Sequence, residues 1–314
     1  MMLKRHIEWE NKHMARSRYK IFENIYPFFF IFPLMLYCGR SSYPEVEKLQ
    51  VATSIFPIYD ITLNIAGENM DLFYMIPILA NPHTYEPVPS VVNQLKHADL
   101  FIGVHRDFDG WIEDFLSETT DIIYLNEEMR KDSSHYRDPS LQRYENPHLW
   151  LTVKGAEKCA QIIAEKLSEI DEANRSDYMK HVQGYLQELA VLDQRLVRLF
   201  QNIREKKFIQ WHPAWDYFAE DYGLEVLGTI EQGHGDEPSL KEFKELTDMA
   251  REQNVKIIII GLTVQSKATE ALVREIDGSL VRLDNIGNPD DPEKSSYIKL
   301  MNYNANILAE VLSQ

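Results

Sequence analysis

Phe208-Ile209-Gln210-Trp211-His212-Pro213-Ala214, a helix-like run to Tyr222, then Gly223-Leu224-Glu225-Val226-Leu227 reads as strand, proline-opened helix, glycine stop and second strand. The same order occurs earlier. Leu49–Ala52 leads into Ser54-Ile55-Phe56-Pro57, a helix-like run to Ile65, Gly67 and the apolar Leu72–Ile76. Units of this kind make parallel sheets with crossover helices. Two such units, far apart in one chain, predict an α/β protein with two pseudo-symmetric lobes, each a parallel sheet flanked by helices.

Between the two units Tyr178, Val182, Tyr185, Leu189, Leu192, Leu196, Leu199 and Ile203 recur in steps of four and three, which puts them on one stripe of a helix. From Ser176 to Ile203 that helix would be about 42 Å long, enough to brace both lobes rigidly. The other reading of such a stripe is a coiled-coil seam between two chains. Further strands are expected at Leu100–Val104, Ile257–Ile260 and Leu280–Leu283. Helices are expected near Val88–His97, Val153–Glu169, Leu240–Gln253, Ser266–Ile276 and Tyr297–Leu312. The polar stretch Glu127 to Glu145 reads as a loop. The expected division is a targeting segment at 1–40, an N-terminal lobe at 41–173, the long helix at 174–206 and a C-terminal lobe at 207–314.

Composition narrows the function. The chain has 314 residues and a formal net charge of -16, a surface that repels phosphate backbones and argues against a nucleic-acid partner. Its two cysteines, Cys38 and Cys159, are too few for a disulfide framework or a cysteine-rich zinc site. Cys159 falls in an apolar-periodic stretch and reads as a small core residue. Cys38 directly follows the apolar run from Ile25 to Tyr37, which is itself preceded by Arg16, Arg18 and Lys20. A basic stretch followed by a short apolar one is a secretory signal, with Met1 or Met14 as its start. Cys38-Gly39 resembles the lipidation site of a bacterial lipoprotein, although Tyr37 stands where a small residue is usual. An uncleaved anchor is the alternative. Either places the protein outside the cytoplasmic membrane, in a periplasm or on the outer face of the cytoplasmic membrane.

Of ten histidines, three share a distinctive setting. His83 lies in Asn81-Pro82-His83-Thr84-Tyr85-Glu86-Pro87, just past an expected strand. His148 lies in Asn146-Pro147-His148-Leu149-Trp150-Leu151, just before a helix. His212 follows the strand Phe208–Trp211, and Asp284 follows Leu280–Leu283. Carboxyl ends of parallel strands are where open α/β sheets bind ligands. Proline beside each histidine fixes the backbone that presents the ring. Three imidazoles and a carboxylate suffice for zinc, and imidazole suits other divalent transition metals better than magnesium or calcium. The four residues are too far apart in the chain for spacing to be a signal. Position and residue type alone leave each histidine open to a capping or packing role.

From about Leu49 to Gln314 the chain resembles the zinc- and manganese-binding solute receptors of ABC importers. The matching pieces come in order: Pro82-His83-Thr84-Tyr85-Glu86-Pro87 with Pro89-Ser90; Ala98-Asp99-Leu100; Asn146 to Leu151; His212 to Phe218 with Tyr222-Gly223-Leu224; Glu237-Pro238-Ser239; and Leu283-Asp284-Asn285-Ile286-Gly287. The resemblance implies His83, His148, His212 and Asp284 as metal ligands, with zinc as the transported metal and manganese as the alternative. It also implies a separate permease and ATPase as partners, a monomeric receptor and no catalytic role. Asn285 and Asn146 depart from a usual proline and a common aspartate. The segment before His148 carries only His135, unlike the long His-rich loop of many zinc receptors, whereas His212 stands where manganese receptors often carry a carboxylate. A zinc hydrolase is the rival from another class, with Glu86 and Glu237 the nearest candidates for its general base.

Overall fold

The computed structural model describes residues 48–82, 85–131, 146–231 and 237–314. The expected targeting segment with Cys38, and His83, lie outside the described residues. Two four-stranded parallel sheets form the frame. The first contains β1 (Leu49–Thr53), β2 (Met70–Tyr74), β3 (Leu100–Gly103) and β4 (Asp121–Tyr124) in the order β2-β1-β3-β4. The second contains β5 (Lys207–Gln210), β6 (Glu225–Thr229), β7 (Ile257–Gly261) and β8 (Ser279–Leu283) in the order β6-β5-β7-β8. The identical order is the structural counterpart of the repeated strand, helix and strand pattern. In both sheets the first strand sits second, so loops diverge at the carboxyl ends and leave a crevice there.

The helices are α1 (Phe56–Ala66), α2 (Pro89–Leu95), α3 (Arg106–Asp109), α4 (Leu125–Lys131), α5 (Val153–Ile170), α6 (Arg175–Phe200), α7 (Asp216–Asp221), α8 (Leu240–Glu252), α9 (Lys267–Ile276) and α10 (Tyr297–Leu312). Helix α6 runs unbroken for 26 residues, which is about 39 Å at 1.5 Å per residue. Its stripe, Tyr178, Val182, Tyr185, Leu189, Leu192 and Leu196, is buried. It packs on α1 and α5 beside the first sheet and on α10 beside the second. The stripe is therefore spent inside one chain, and the coiled-coil alternative falls. Among the described residues no helix is long and apolar enough to cross a membrane.

One expectation needs correction and one strand adds to the expected set. Residues 127–131, expected as the start of a loop, belong to α4. Leu125 and Met129, four apart, are both buried there. Glu127 and Glu128 in its first turn and Arg130 and Lys131 in its last suit the helix dipole, which a reading of polarity alone passes over. Strand β4 carries little sequence signal, because it is only four residues long, opens on exposed Asp121 and leaves Ile122 exposed too. Elsewhere Ser239 closes a capping box with Glu242 at the start of α8. Cys159 is buried in the core, where burial pushes its thiol up to about 12.

Candidate metal centre

The crevice between the two sheets is a cavity of about 430 Å³. It is lined by segments that follow β2, β3, β5, β6, β7 and β8, all at carboxyl ends. His148, His212 and Asp284 line it together, with Asn81 and Pro82 from the segment leading to His83.

His148 is placed by a tight turn before α5. The turn needs Gly155, because a Cβ there would lie 2.0 Å from the Leu149 carbonyl oxygen. Trp150 lies against the imidazole, with centroids 5.2 Å apart, and Phe108 meets it edge-on at 6.3 Å. Phe108 is held by the turn after β3, where buried Asp109 accepts from the Val104 amide at 2.6 Å and the His105 amide at 3.2 Å. Burial pushes the Asp109 carboxyl up to about 7, against the lowering effect of those backbone bonds.

Asn146 sets the ring's proton. Its Nδ2 donates to the Pro213 carbonyl at 2.6 Å and to Asp216 Oδ2 at 3.1 Å. That turns Oδ1 toward His148 Nδ1, 2.7 Å away. An amide oxygen can only accept, so Nδ1 carries the hydrogen and Nε2 presents its lone pair. An aspartate here would set a carboxylate against two acceptors, which accounts for asparagine. The Asn146 carbonyl accepts from Tyr217 and Asn126, so Asn146 itself is tied to both halves.

His212 repeats the arrangement with a different partner. Its Nδ1 lies 2.7 Å from Glu231 Oε2, and the Glu231 side chain is 4% exposed. The carboxylate accepts the Nδ1 hydrogen, which makes Nε2 the acceptor nitrogen of the ring. The two Nε2 atoms, one from each half, lie 3.2 Å apart. Two nitrogens on a tetrahedral zinc with bonds of about 2.0–2.1 Å stand about 3.3 Å apart. Two acceptor nitrogens at this distance repel unless a cation or a proton lies between them, so the arrangement suits a cation.

Asp284 follows β8 directly and is clamped by buried Asn304, which accepts from its amide at 2.9 Å and donates to its carbonyl at 2.6 Å. Its Oδ1 accepts from the amides of Ile286 and Gly287, and its Oδ2 faces Lys294 Nζ at 3.0 Å. Burial alone would lower the lysine, but Asp284 and then Asp291 hold it above its ordinary range. Gly287 has φ +80, and a Cβ there would press on the Lys294 carbonyl and the Phe56 ring, so only glycine fits this loop. The Trp150 indole donates to the Asn285 carbonyl at 2.7 Å, linking the His148 turn to the Asp284 loop.

Of the residues expected to bind metal, the structure brings His148 and His212 into contact and sets Asp284 in the same cavity beside a lysine. Among the described residues no group of three or more His, Cys, Asp or Glu side chains could hold a metal ion. Glu231, Asn146 and Lys294 escaped the sequence reading as site residues. Glu231 carries a weak signal, a charged residue two positions beyond the end of β6. Glu237 accepts from Ser266 Oγ and the Ala268 amide at the start of α9, which engages it away from any general-base role.

The profile of a family described as zinc-uptake complex component A, periplasmic, matches residues 51–311. The chain belongs to this family. It is an extracytoplasmic substrate-binding receptor that delivers a divalent transition metal to an ABC importer. It is 26% identical over 302 residues to the high-affinity zinc uptake system protein ZnuA of Bacillus subtilis, covering 90% of this chain and 94% of that one. It is 28% identical over 299 residues to the manganese ABC transporter substrate-binding lipoprotein PsaA of Streptococcus anginosus, covering 88% and 93%. A crystal structure of ZnuA superposes with TM-score 0.71 at 28% identity, over 84% of this chain and 99% of that one. Zinc receptors and manganese receptors thus stand at similar distance, and the family match leaves the metal to be argued from the site.

Proposed function

We propose that the cargo of this receptor is zinc, held by His83, His148, His212 and Asp284, and that the protein has no catalytic activity of its own. The observation that carries the reading is the pair of Nε2 atoms 3.2 Å apart, each ring held in the required tautomer from behind by Asn146 or Glu231. Such partners fix ring orientation and raise ligand basicity. Imidazole nitrogen favours zinc over manganese in the usual affinity order. His83 joins the set from the resemblance of Pro82-His83-Thr84-Tyr85-Glu86-Pro87, and Asn81 and Pro82 at the cavity support its place.

Metal analysis of protein purified without added metal, followed by competition between zinc and manganese, tests the assignment. One zinc per chain is expected, with uptake lost in His148→Ala and in His212→Ala. Retention of stoichiometric zinc by both variants, or manganese displacing zinc at equal concentration, would refute it.

The receptor works with a permease and an ATPase, as a monomer, and is held at the membrane by lipid on Cys38. Lipid would keep it near its permease and raise its effective concentration there. Mass spectrometry of the mature N-terminus checks this: an unmodified start beyond Cys38 would show a receptor free of the membrane.

A further inference from the structure

We propose that Lys294 pins Asp284 so that its carboxylate offers the metal one oxygen only, which biases the receptor toward metals content with four ligands. The inference rests on the reading above in which Asp284 is a ligand. An ionised carboxylate has about four lone-pair positions, two on each oxygen. On Asp284 the two positions of Oδ1 are taken by the amides of Ile286 at 3.0 Å and Gly287 at 2.9 Å. One of the two on Oδ2 is taken by Lys294 Nζ at 3.0 Å. A single position remains, on Oδ2. The carboxylate cannot turn to present both oxygens, because each is held from a different side.

The lysine is itself fixed. It is 9% exposed, and its ammonium also faces Asp291 Oδ2 at 3.3 Å and lies 5.1 Å from the Tyr303 ring centroid. Its amide donates to the Asp291 carbonyl at 2.9 Å and its carbonyl accepts from the Asn288 amide at 3.2 Å. Lys294 therefore closes the loop that begins at Asp284 and returns its charge to the first residue of that loop. Surface ion pairs of long side chains are loose. This one is buried on both sides, with side chains 11% and 8% exposed.

The chemical consequence is selectivity. Zinc accepts a four-coordinate shell of imidazoles and one carboxylate oxygen. Manganese, magnesium and calcium favour six or more ligands, mostly oxygen, and a chelating carboxylate is the cheapest source of an additional one. By holding back the second oxygen, Lys294 withholds that position from the larger shells. Removing its charge would strengthen attraction for every divalent cation about equally, so charge alone cancels in a ratio of affinities. A change in the ratio reports the geometric effect.

The test uses the full mature protein and three metals, zinc, manganese and cobalt, each alone and in chelator competition. In Lys294→Met the ratio of manganese to zinc dissociation constants should fall by about tenfold, a loss of about 1.4 kcal/mol of discrimination. Lys294→Arg, which keeps a cation at Asp284, should retain the larger part of the discrimination. Cobalt bound to the wild-type protein should show the intense visible absorption of a four-coordinate ion, and in Lys294→Met a weaker one. A Lys294→Met ratio within about twofold of wild type overturns the proposal. So does the weak absorption of six-coordinate cobalt in the wild-type protein, a measurement that holds even if the methionine variant fails to fold. Failure of the wild-type protein to bind any of the three metals would sink the functional reading instead, and this inference with it.

Discussion

Glu231 offers a direct way to test how the site is tuned from behind. Its carboxylate is 2.7 Å from His212 Nδ1 with a side chain only 4% exposed, so water cannot take over as acceptor. Glu231→Gln leaves an oxygen in reach of the ring hydrogen but removes the charge. Hydrogen bonds to ionised groups are roughly twice as strong as neutral ones, so the glutamine should keep about half the effect. Glu231→Ala removes the acceptor and lets the imidazole turn or change tautomer. Loss of an outer partner of a metal-bound histidine costs about 10–100-fold in affinity. That range is about 1.4–2.7 kcal/mol, with glutamine at the low end and alanine at the high end. Competition against a chromophoric zinc chelator in metal-free buffer reads both values. Zinc-induced elevation of the melting temperature should shrink in the same order. An alanine variant that binds zinc within about threefold of wild type would refute the reasoning, as would a glutamine variant weaker than the alanine one.

The remaining expectations concern packing and pH. Trp150→Phe removes the bond to the Asn285 carbonyl; it should cost about 1 kcal/mol of stability and speed zinc release in stopped-flow chelation, and an unchanged release rate would separate Trp150 from the Asp284 loop. Gly155→Ala should destabilise by about 1–3 kcal/mol in thermal melts, because the added Cβ meets the Leu149 carbonyl; a melt like that of wild type would show that the His148 turn yields. Burial raises the Asp60 carboxyl from 3.8 to about 6, so the folded state binds the extra proton between those values. Its contribution is fully present below about pH 4 and lost as pH rises through 6. Relative to Asp60→Asn, the metal-free wild-type protein should therefore lose stability between pH 5 and pH 8, by about 1.4 kcal/mol. A wild-type protein that gains on the variant over that interval would contradict the raised carboxyl.

Much of this protein was settled by its sequence. The paired runs at Leu49–Leu72 and Phe208–Leu227 specify strands and crossover helices through local chemistry: apolar strand residues, Pro57 in the first turn of α1, Gly67 and Gly223 at stops. Pro213, expected to open its helix, lies instead in the turn before α7, which starts at Asp216. The period of Tyr178 to Leu196 specified α6, because a stripe of that spacing has one geometry that buries it. Strand ends and proline-flanked turns, which are local features, singled out His148, His212 and Asp284 as candidates, and the family resemblance, carried by short motifs, made them an expected ligand set. What no local signal contained was the distance between them. Whether His148 and His212 face each other depends on how α1, α5 and α10 seat the two sheets on α6, a sum of contacts between residues far apart in the chain. The partners that give the site its chemistry were hidden for the same reason. Glu231 reads as one acidic residue among 49 Asp and Glu until folding buries it behind His212, and Lys294 as one of 33 basic residues until its loop closes on Asp284. A charged side chain acquires its role from what surrounds it once water is gone, and only the tertiary structure decides that.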